Sequence, residues 1–327
     1  MFPLMKILFL EIVYKNKMKN ENFYGFTVRN WKAKLAGFPT EDSYASCSPF
    51  DTGETIACVA DGVTRDFVDG SIVTKDLEGL LKFWTGKYPK HAQEASQICV
   101  GNFILTKSLE DSNKAIRRYN LETFKTIDYL GNDFAGCTAA GIVEKDGLLD
   151  YQFIADSGVA IFNKDGKLKF NTPCEGPNSH GSIDQEVKYL YGSSFNDSFG
   201  RMKIRSEFRN NPKEPLAYGV LTGEKTAENY IRKGQEKLKE GDYALLYTDG
   251  IGEILFEQGE GLDGQFIQLL INQDYSQLKN FCQEKISTEG TLIVYKKPVQ
   301  YHFHSLPSGL AKQRELMEKD FFGPAHP

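Results

Sequence analysis

The sequence lacks several features that would assign it to a class of protein at once. Its 327 residues contain no internal repeat, no low-complexity segment and no linker rich in proline, glycine or serine, which argues against a solenoid and against separate domains. No apolar run is long enough to span a bilayer. Positive charge is not in excess, because the formal net charge is −5. We therefore expect no nucleic-acid partner and no membrane partner.

The cysteines show no metal-binding or redox spacing, since no two of the six form a CxxC pair. Three of them lie in or beside apolar stretches, where a free thiol behaves as a small core residue. A chain of this size also does not depend on a disulfide framework. The cysteines therefore predict a reduced, cytoplasmic protein.

The two ends of the chain differ from its middle. The opening stretch MFPLMKILFLEIVY resembles the apolar part of a signal peptide, but Lys6 and Glu11 interrupt it and no small-residue cleavage site follows. An alternative is that translation starts at Met18. We interpret residues 1–21 as an N-terminal appendage and 298–327 as a C-terminal tail. Residues 22–297 are then one domain of catalytic size.

Helix and strand patterns fill the region between the two ends. Strands rich in Val, Ile, Phe and Tyr are predicted at 55–61, 135–145, 149–155, 158–163, 216–220, 243–249 and 291–296. Helices are predicted at 71–86, 109–129, 183–191, 225–233, 262–271 and 274–286. Strands joined by Asp-Gly hairpins at 146–147 and 165–166, with blocks of helices between them, indicate an α+β fold in layers. The segment 172–215 is rich in turn-forming residues and predicts an excursion from the sheet.

Three aspartates follow apolar, strand-like runs: Asp61 after IACVA, Asp156 after YQFIA and Asp249 after YALLYT. A carboxylate in such a position is costly unless it is solvated, hydrogen-bonded or bound to a cation. Each is followed by a small residue, and glycine lets the backbone turn sharply and approach a ligand closely. Any one of these aspartates could simply cap a turn. Together they favour one site for a hard divalent cation, Mg²⁺ or Mn²⁺, which prefers oxygen ligands.

The order of short motifs along the chain is more informative than any single motif. The motifs are Glu41-Asp42, Asp61-Gly62, Gly136-Cys137-Thr138-Ala139, Ala155-Asp156-Ser157, GVLTGE at 219–224, Thr248-Asp249-Gly250 and Thr288-Glu289 before TLIVY. In this order the sequence resembles a divergent member of the metal-dependent protein phosphatase family, type 2C. The resemblance implies a four-layer α-β-β-α sandwich of two mainly antiparallel sheets. It also implies two Mg²⁺ or Mn²⁺ ions at one edge of the sheets, and a third held more weakly.

The resemblance assigns the principal metal ligands residue by residue. Asp61 would bridge two ions, the Gly62 carbonyl would bind one of them, and Asp249 would hold the other. The substrates would be proteins phosphorylated on serine or threonine. Metal-activated water would hydrolyse the phosphate ester, so that no protein nucleophile is needed.

The remaining matched acids would have supporting roles. Glu41 and Asp42 would hydrogen-bond waters on the metal ions. Asp156 would hold the weaker third ion.

One departure from the family pattern concerns the last metal ligand. The aspartate expected three residues before Thr291 is Thr288, which has a hydroxyl in place of a carboxylate. Glu289 comes one position later and is one methylene longer. Either Glu289 reaches the metal from a shifted loop, or a water takes that position. Adjacent residues of a strand point to opposite sides, so Thr288 and Glu289 are not equivalent.

A second departure concerns the arginine that would anchor the substrate phosphate before Glu41. Gly37 lies at its place. Lys34 is the nearest basic residue, and Arg65, just after the first Asp-Gly, is the candidate catalytic residue; each could equally be a solvated surface cation. Both departures leave open a catalytically impaired pseudophosphatase that acts as a regulatory binding module. A hydrolase of small phosphoesters is a third reading, since it would share the chemistry.

Overall fold

The computed structural model of the chain describes residues 22–31, 34, 40–49, 51–63, 91–125, 134–177, 183–194, 197–256 and 261–299. The chain divides into two units, Met1–Lys297 and Pro298–Pro327. Every element described below belongs to the first unit. The predicted helix 71–86 lies outside the described residues, and the predicted domain boundaries stay a prediction.

The described strands form two antiparallel sheets of five strands each. Their bounds are β1 Phe23–Arg29, β2 Ser43–Cys47, β3 Thr55–Gly62, β4 Cys137–Lys145, β5 Leu148–Ile154, β6 Gly158–Phe162, β7 Leu168–Asn171, β8 Arg232–Lys237, β9 Tyr243–Tyr247 and β10 Glu289–Lys296. The strand order is β1-β10-β9-β6-β7 in sheet A and β2-β3-β4-β5-β8 in sheet B. All pairings within both sheets are antiparallel.

Helices cover the outer faces of both sheets or lie in the long connection between β7 and β8. Their bounds are α1 His91–Thr106, α2 Leu109–Phe124, α3 Ile183–Tyr191, α4 Ser198–Lys203, α5 Asp249–Leu255, α6 Gly264–Ile271 and α7 Tyr275–Lys285. A π-helical turn follows α4 at Ile204–Phe208, and a 3₁₀ helix occupies Lys225–Tyr230. No helix in the described part of the chain has the length and apolar character that crossing a bilayer requires.

Three hydrophobic clusters separate the layers of the sandwich. Side chains of the two sheets meet in a central cluster that includes Val59, Ile142, Leu246 and Ile293. A second cluster packs α1 and α2 on the outer face of sheet B, and a third packs α5, α6 and α7 on the outer face of sheet A. This arrangement confirms the predicted four-layer α-β-β-α sandwich.

Strand β3 shows why its sequence is a continuous apolar run and not an alternating one. Alternate residues of a strand face opposite sides. Ala57 and Val59 face sheet A, while Ile56, Cys58 and Ala60 face the helices. All five are buried because both faces of the strand are covered.

The connection from Thr172 to Ile231 contains no strand of either sheet within its described residues. Up to residue 215 this agrees with the excursion that the turn-rich sequence predicts. It has a small hydrophobic cluster of its own, which includes Val187, Ile204, Phe208 and Val220. The predicted strand 216–220 is wrong, because Tyr218 and Leu221 make only isolated bridges.

Several other predicted elements are wrong or incomplete. The predicted helix 225–233 stops as a 3₁₀ helix at Tyr230, and residues 232–237 form β8, the polar edge strand of sheet B. Strands β1, β2 and β7 and helices α1, α4 and α5 have no sequence prediction. The Asp146-Gly147 hairpin is confirmed, since both residues have positive φ and the pair joins β4 to β5.

Candidate metal centre

The acids that the motifs single out occupy one end of the sandwich. Asp61 is the penultimate residue of β3, Asp156 follows β5, and Glu289 is the first residue of β10. The sequence predicts that Asp249 ends a strand, but in the structure it begins helix α5. Asp42 lies just before β2. These positions come from both sheets, so the fold joins segments that are far apart in sequence.

Three carboxylates form the tightest group among the described residues. Asp42, Asp61 and Glu289 each offer a carboxylate oxygen, and these oxygens all lie within 4.8 Å of one another. Asp42 and Asp61 share a hydrogen bond. Glu289 is only 7% exposed, and its Oε1 accepts a hydrogen bond of 3.0 Å from the Glu41 backbone N–H. Glu289 therefore lies with the site acids, which the sequence left open.

The acids repel one another strongly. Burial, together with the charges of Asp42, Asp249 and Asp156, raises the pKa of Asp61 well above its ordinary range. Burial and the Asp249 charge raise the pKa of Asp156 to about 7. Burial also raises the pKa of Asp42 to about 6, although a hydrogen bond from Thr248 acts in the opposite direction. Clustered carboxylates at this depth need a compensating positive charge.

Two carboxylate oxygens have no partner in this cluster. Asp42 Oδ1 and Asp156 Oδ1 are buried and make no hydrogen bond. A buried polar atom left unpaired costs free energy, and a bound cation would remove that cost. The three grouped residues provide only carboxylate oxygens, which is the donor type that Mg²⁺ and Mn²⁺ prefer. The residues therefore fit a hard divalent cation.

The glycines after Asp61 and Asp249 allow neighbouring backbone segments to approach closely, and they do not form turns that require a positive φ. Neither Gly62 nor Gly250 has a positive φ. A Cβ on Gly62 would overlap the carbonyl oxygen of Ala92 in α1, and a Cβ on Gly250 would overlap the carbonyl oxygen of Glu289. The missing side chains thus let α1 and the start of β10 pack against the two Asp-Gly motifs. This explains the repeated motif better than the turn that the sequence suggests.

Two buried threonines hold Asp42 in place. The Thr248 hydroxyl accepts a hydrogen bond of 2.8 Å from the Thr291 backbone N–H, so its own proton is free to be donated. It donates that proton to Asp42 Oδ2, also over 2.8 Å. Thr248 and Thr291 are fully buried. One oxygen of Asp42 is thereby fixed, and the unpartnered Oδ1 is left for a cation.

Replacing Thr248 with valine is expected to weaken Mn²⁺ binding about 10- to 100-fold, because Asp42 loses the bond that orients it. The substitution also leaves the Thr291 N–H unsatisfied, which should lower the free energy of unfolding by about 1–3 kcal/mol. Serine at this position retains the hydroxyl and should restore most of the affinity. Mn²⁺ titration by electron paramagnetic resonance checks this. Equal affinity of the valine and serine variants would refute the role given to Thr248.

A second pair of hydroxyl groups, from Thr138 and Ser157, lies beside Asp156. Thr138, opposite Asp61 in the β3–β4 ladder, lies within 2.8 Å of the Ser157 hydroxyl and also hydrogen-bonds Asp156. No role in the site is predicted from the sequence for Thr138, Ser157, Thr248 or Thr291. All four lie in the short motifs named above or directly beside them, which was the available signal.

Not every predicted site residue can be placed. Arg65 and Gly37 lie outside the described residues. Lys34 is described and has an exposed side chain. Glu41 is 2% exposed and contributes its backbone to the site through Glu289 and Gly62, whose N–H donates to the Glu41 carbonyl over 3.2 Å.

No protein-family model matches this chain, and no curated protein matches it. Solved structures do. The catalytic domain of the serine/threonine protein phosphatase PstP in complex with two manganese ions is 15% identical over 84% of this chain and 96% of its own, with a TM-score of 0.50. The serine/threonine phosphatase PstP/Ppp of Mycobacterium tuberculosis is 14% identical over 85% of this chain and 98% of its own, with a TM-score of 0.52.

The serine/threonine phosphatase of S. agalactiae is similar to the same extent, at 14% identity over 84% of this chain and 98% of its own, with a TM-score of 0.50. At such low identity the similarity shows the fold alone. The chain has the fold of these phosphatases, which confirms at the level of structure the resemblance that its motifs indicate.

Proposed function

On this fold, we propose that the chain is a metal-dependent protein phosphatase that hydrolyses phosphoserine and phosphothreonine in protein substrates. The observation that supports this most directly is the convergence of carboxylates from both sheets. Asp42, Asp61 and Glu289 lie within 4.8 Å of one another. The charge of Asp249 raises the pKa of Asp42, Asp61 and Asp156, so it belongs to the same cluster.

The proposed metal ligands are those that the family resemblance implies, and the clustering of the acids supports them. We assign Asp61 and Asp249, with the Gly62 carbonyl, to two Mg²⁺ or Mn²⁺ ions, and Asp156 to a third. Glu289 provides the carboxylate of the expected aspartate, whose position Thr288 occupies. When bound, the ions would activate water and neutralise phosphoryl oxygens.

The remaining residues would orient the site. The backbone of Glu41 fixes the Glu289 carboxylate, and Thr248 fixes Asp42. We keep Arg65 as the candidate that binds the substrate phosphate, on its sequence position alone. We also propose a cytoplasmic location, supported by the six cysteines, which are all unpaired.

The direct test is phosphate release from p-nitrophenyl phosphate and from a phosphothreonine peptide, with Mn²⁺ and with a chelator. We expect turnover with Mn²⁺ and none with the chelator. A protein that stays folded and binds Mn²⁺ but hydrolyses neither substrate would contradict the proposal. Hydrolysis of p-nitrophenyl phosphate alone, with no peptide among those tested, would favour a hydrolase of small phosphoesters.

A pseudophosphatase is the second candidate, and the hydroxyl of Thr288 at the expected acid position favours it. The test is whether Glu289 supplies the missing charge. Glu289→Gln preserves the shape of the side chain and an oxygen that can accept the hydrogen bond from the Glu41 backbone N–H, but it removes the negative charge.

We expect Glu289→Gln to lower Mn²⁺ affinity about 10- to 100-fold, as calorimetry would show. Glu253→Gln, an exposed residue on α5, is the matched control and should bind Mn²⁺ like the parent protein. Binding weaker than millimolar in the parent, with no further loss in the Glu289 variant, would support the pseudophosphatase.

A further inference from the structure

A pocket of about 350 Å³ lies next to the chain segment that contacts Asp156, and it has no role in the chemistry proposed above. It is formed by the segment after β7, the turn at 212–217, the end of the 3₁₀ helix and the start of β8. The side chains that define its character are Glu175, Pro212, Glu214, Pro215, Tyr230 and Arg232.

The pocket adjoins the acid cluster through the backbone on either side of Asp156. The Glu175 N–H donates a hydrogen bond of 2.8 Å to the carbonyl of Ala155. A Cβ built on Gly176 would lie 2.7 Å from Asp156 Oδ2. Arg232 is paired with Phe153 in the β5–β8 ladder, three residues before Asp156. The segment at 175–176 therefore joins the wall of the pocket to Asp156.

The charge of the pocket is negative once its internal ion pair is taken into account. Arg232 Nε donates to both oxygens of Glu175, at 2.9 and 3.1 Å, so these two charges compensate each other. Glu214 is exposed, and no cation of the described residues forms an ion pair with it. One carboxylate therefore remains for a ligand.

The other walls suit the stem and head group of a long cationic side chain. Tyr230 lines the pocket, and a guanidinium or ammonium group stacks favourably on an aromatic ring. Pro212 and Pro215 provide apolar surface without backbone N–H groups that would need partners. The methylene stem of lysine or arginine packs on such surface while its charge reaches an acid.

We propose that this pocket binds a lysine or arginine side chain of the phosphoprotein substrate, close in sequence to the phosphorylated residue. The proposal rests on the phosphatase function above and specifies its substrate class as basic phosphopeptides. Glu214 is its specificity-determining residue.

The test uses phosphothreonine peptides that differ at one position, scanned over four residues on each side of the phosphate, with arginine, alanine or glutamate at that position. At one or more positions, we expect the arginine peptide to have a KM about threefold to tenfold below that of the alanine peptide, with similar kcat. Glu214→Gln should abolish this preference, and Glu214→Lys should reverse it in favour of glutamate. Glu240→Gln, on the exposed turn between β8 and β9, makes the same charge change elsewhere and should retain the preference.

A preference for arginine that persists in Glu214→Gln, or no preference at any position, would overturn the proposal. Tighter binding of the glutamate peptide by the parent protein would also overturn it, and would indicate that Arg232 leaves Glu175 to bind acidic substrates. Fluorescence anisotropy with the same labelled peptides measures binding independently of turnover. If the protein hydrolyses nothing with Mn²⁺, the proposed function fails, while the anisotropy series still decides whether the pocket selects basic peptides.

Discussion

Replacing Asp61 with asparagine is expected to reduce Mn²⁺-dependent phosphate release at least about 1,000-fold and yet to make the metal-free protein more stable. The loss of activity follows because Asp61 is the central carboxylate of the cluster, and metal ions supply several kcal/mol of transition-state stabilisation. The gain in stability follows because burial and three neighbouring acids oppose the charged form of Asp61. Removing that charge relieves the repulsion within the cluster.

Both effects can be measured on the same protein sample. Phosphate release with saturating Mn²⁺ gives the first, and urea unfolding at pH 8 with a chelator gives the second. Asp165→Asn, in the exposed hairpin after β6, is the matched control and should change neither. An Asp61→Asn variant that keeps activity, or a metal-free variant less stable than its parent, would show that Asp61 is not at the centre of the site. Such opposed effects on stability and function are typical of strained sites.

The metal-free protein is expected to lose about 2–4 kcal/mol of unfolding free energy as the pH rises from about 5 to about 8. The pKa of Asp42 is raised to about 6 and that of Asp156 to about 7, both from 3.8. In this range the folded protein therefore binds more protons than the unfolded chain does. The folded state is favoured at low pH, and this advantage is lost as the pH rises through the two folded-state pKa values.

Saturating Mn²⁺ should remove or reverse this decrease of the unfolding free energy with pH. A bound cation stabilises the ionised carboxylates, which destabilise the metal-free protein. Denaturant unfolding at several pH values, with Mn²⁺ and with a chelator, measures both slopes. Asp263 is perturbed in the opposite direction, because burial raises its pKa less than the Lys285 ion pair and the backbone hydrogen bonds lower it. A metal-free stability that is flat or rises between pH 5 and 8 would contradict the electrostatic description of the site.

A strand that is buried on both faces carries a local signal in its sequence, and a polar edge strand does not. The strands at Thr55–Gly62, Cys137–Lys145 and Tyr243–Tyr247 were predictable because both of their faces are buried, which leaves an unbroken apolar run. Strand β8, with the sequence RKGQEK, was not predictable in this way. It is held at the edge of sheet B by its backbone pairing with β5, and its side chains carry no apolar signal.

The sequence by itself determined the layered α+β class, the order of the acidic motifs and the identity of the acids, because each depends on residues that are neighbours in the chain. The tertiary structure alone decided that Glu289, and not Thr288, lies with Asp42 and Asp61. That outcome depends on the register of β10 against β1 and on the hydrogen bond from the Glu41 backbone, which joins residues 248 positions apart. It also decided that Gly62 and Gly250 are needed for close packing. Such contacts arise only when segments that are distant in the chain pack together, so no local pattern reveals them.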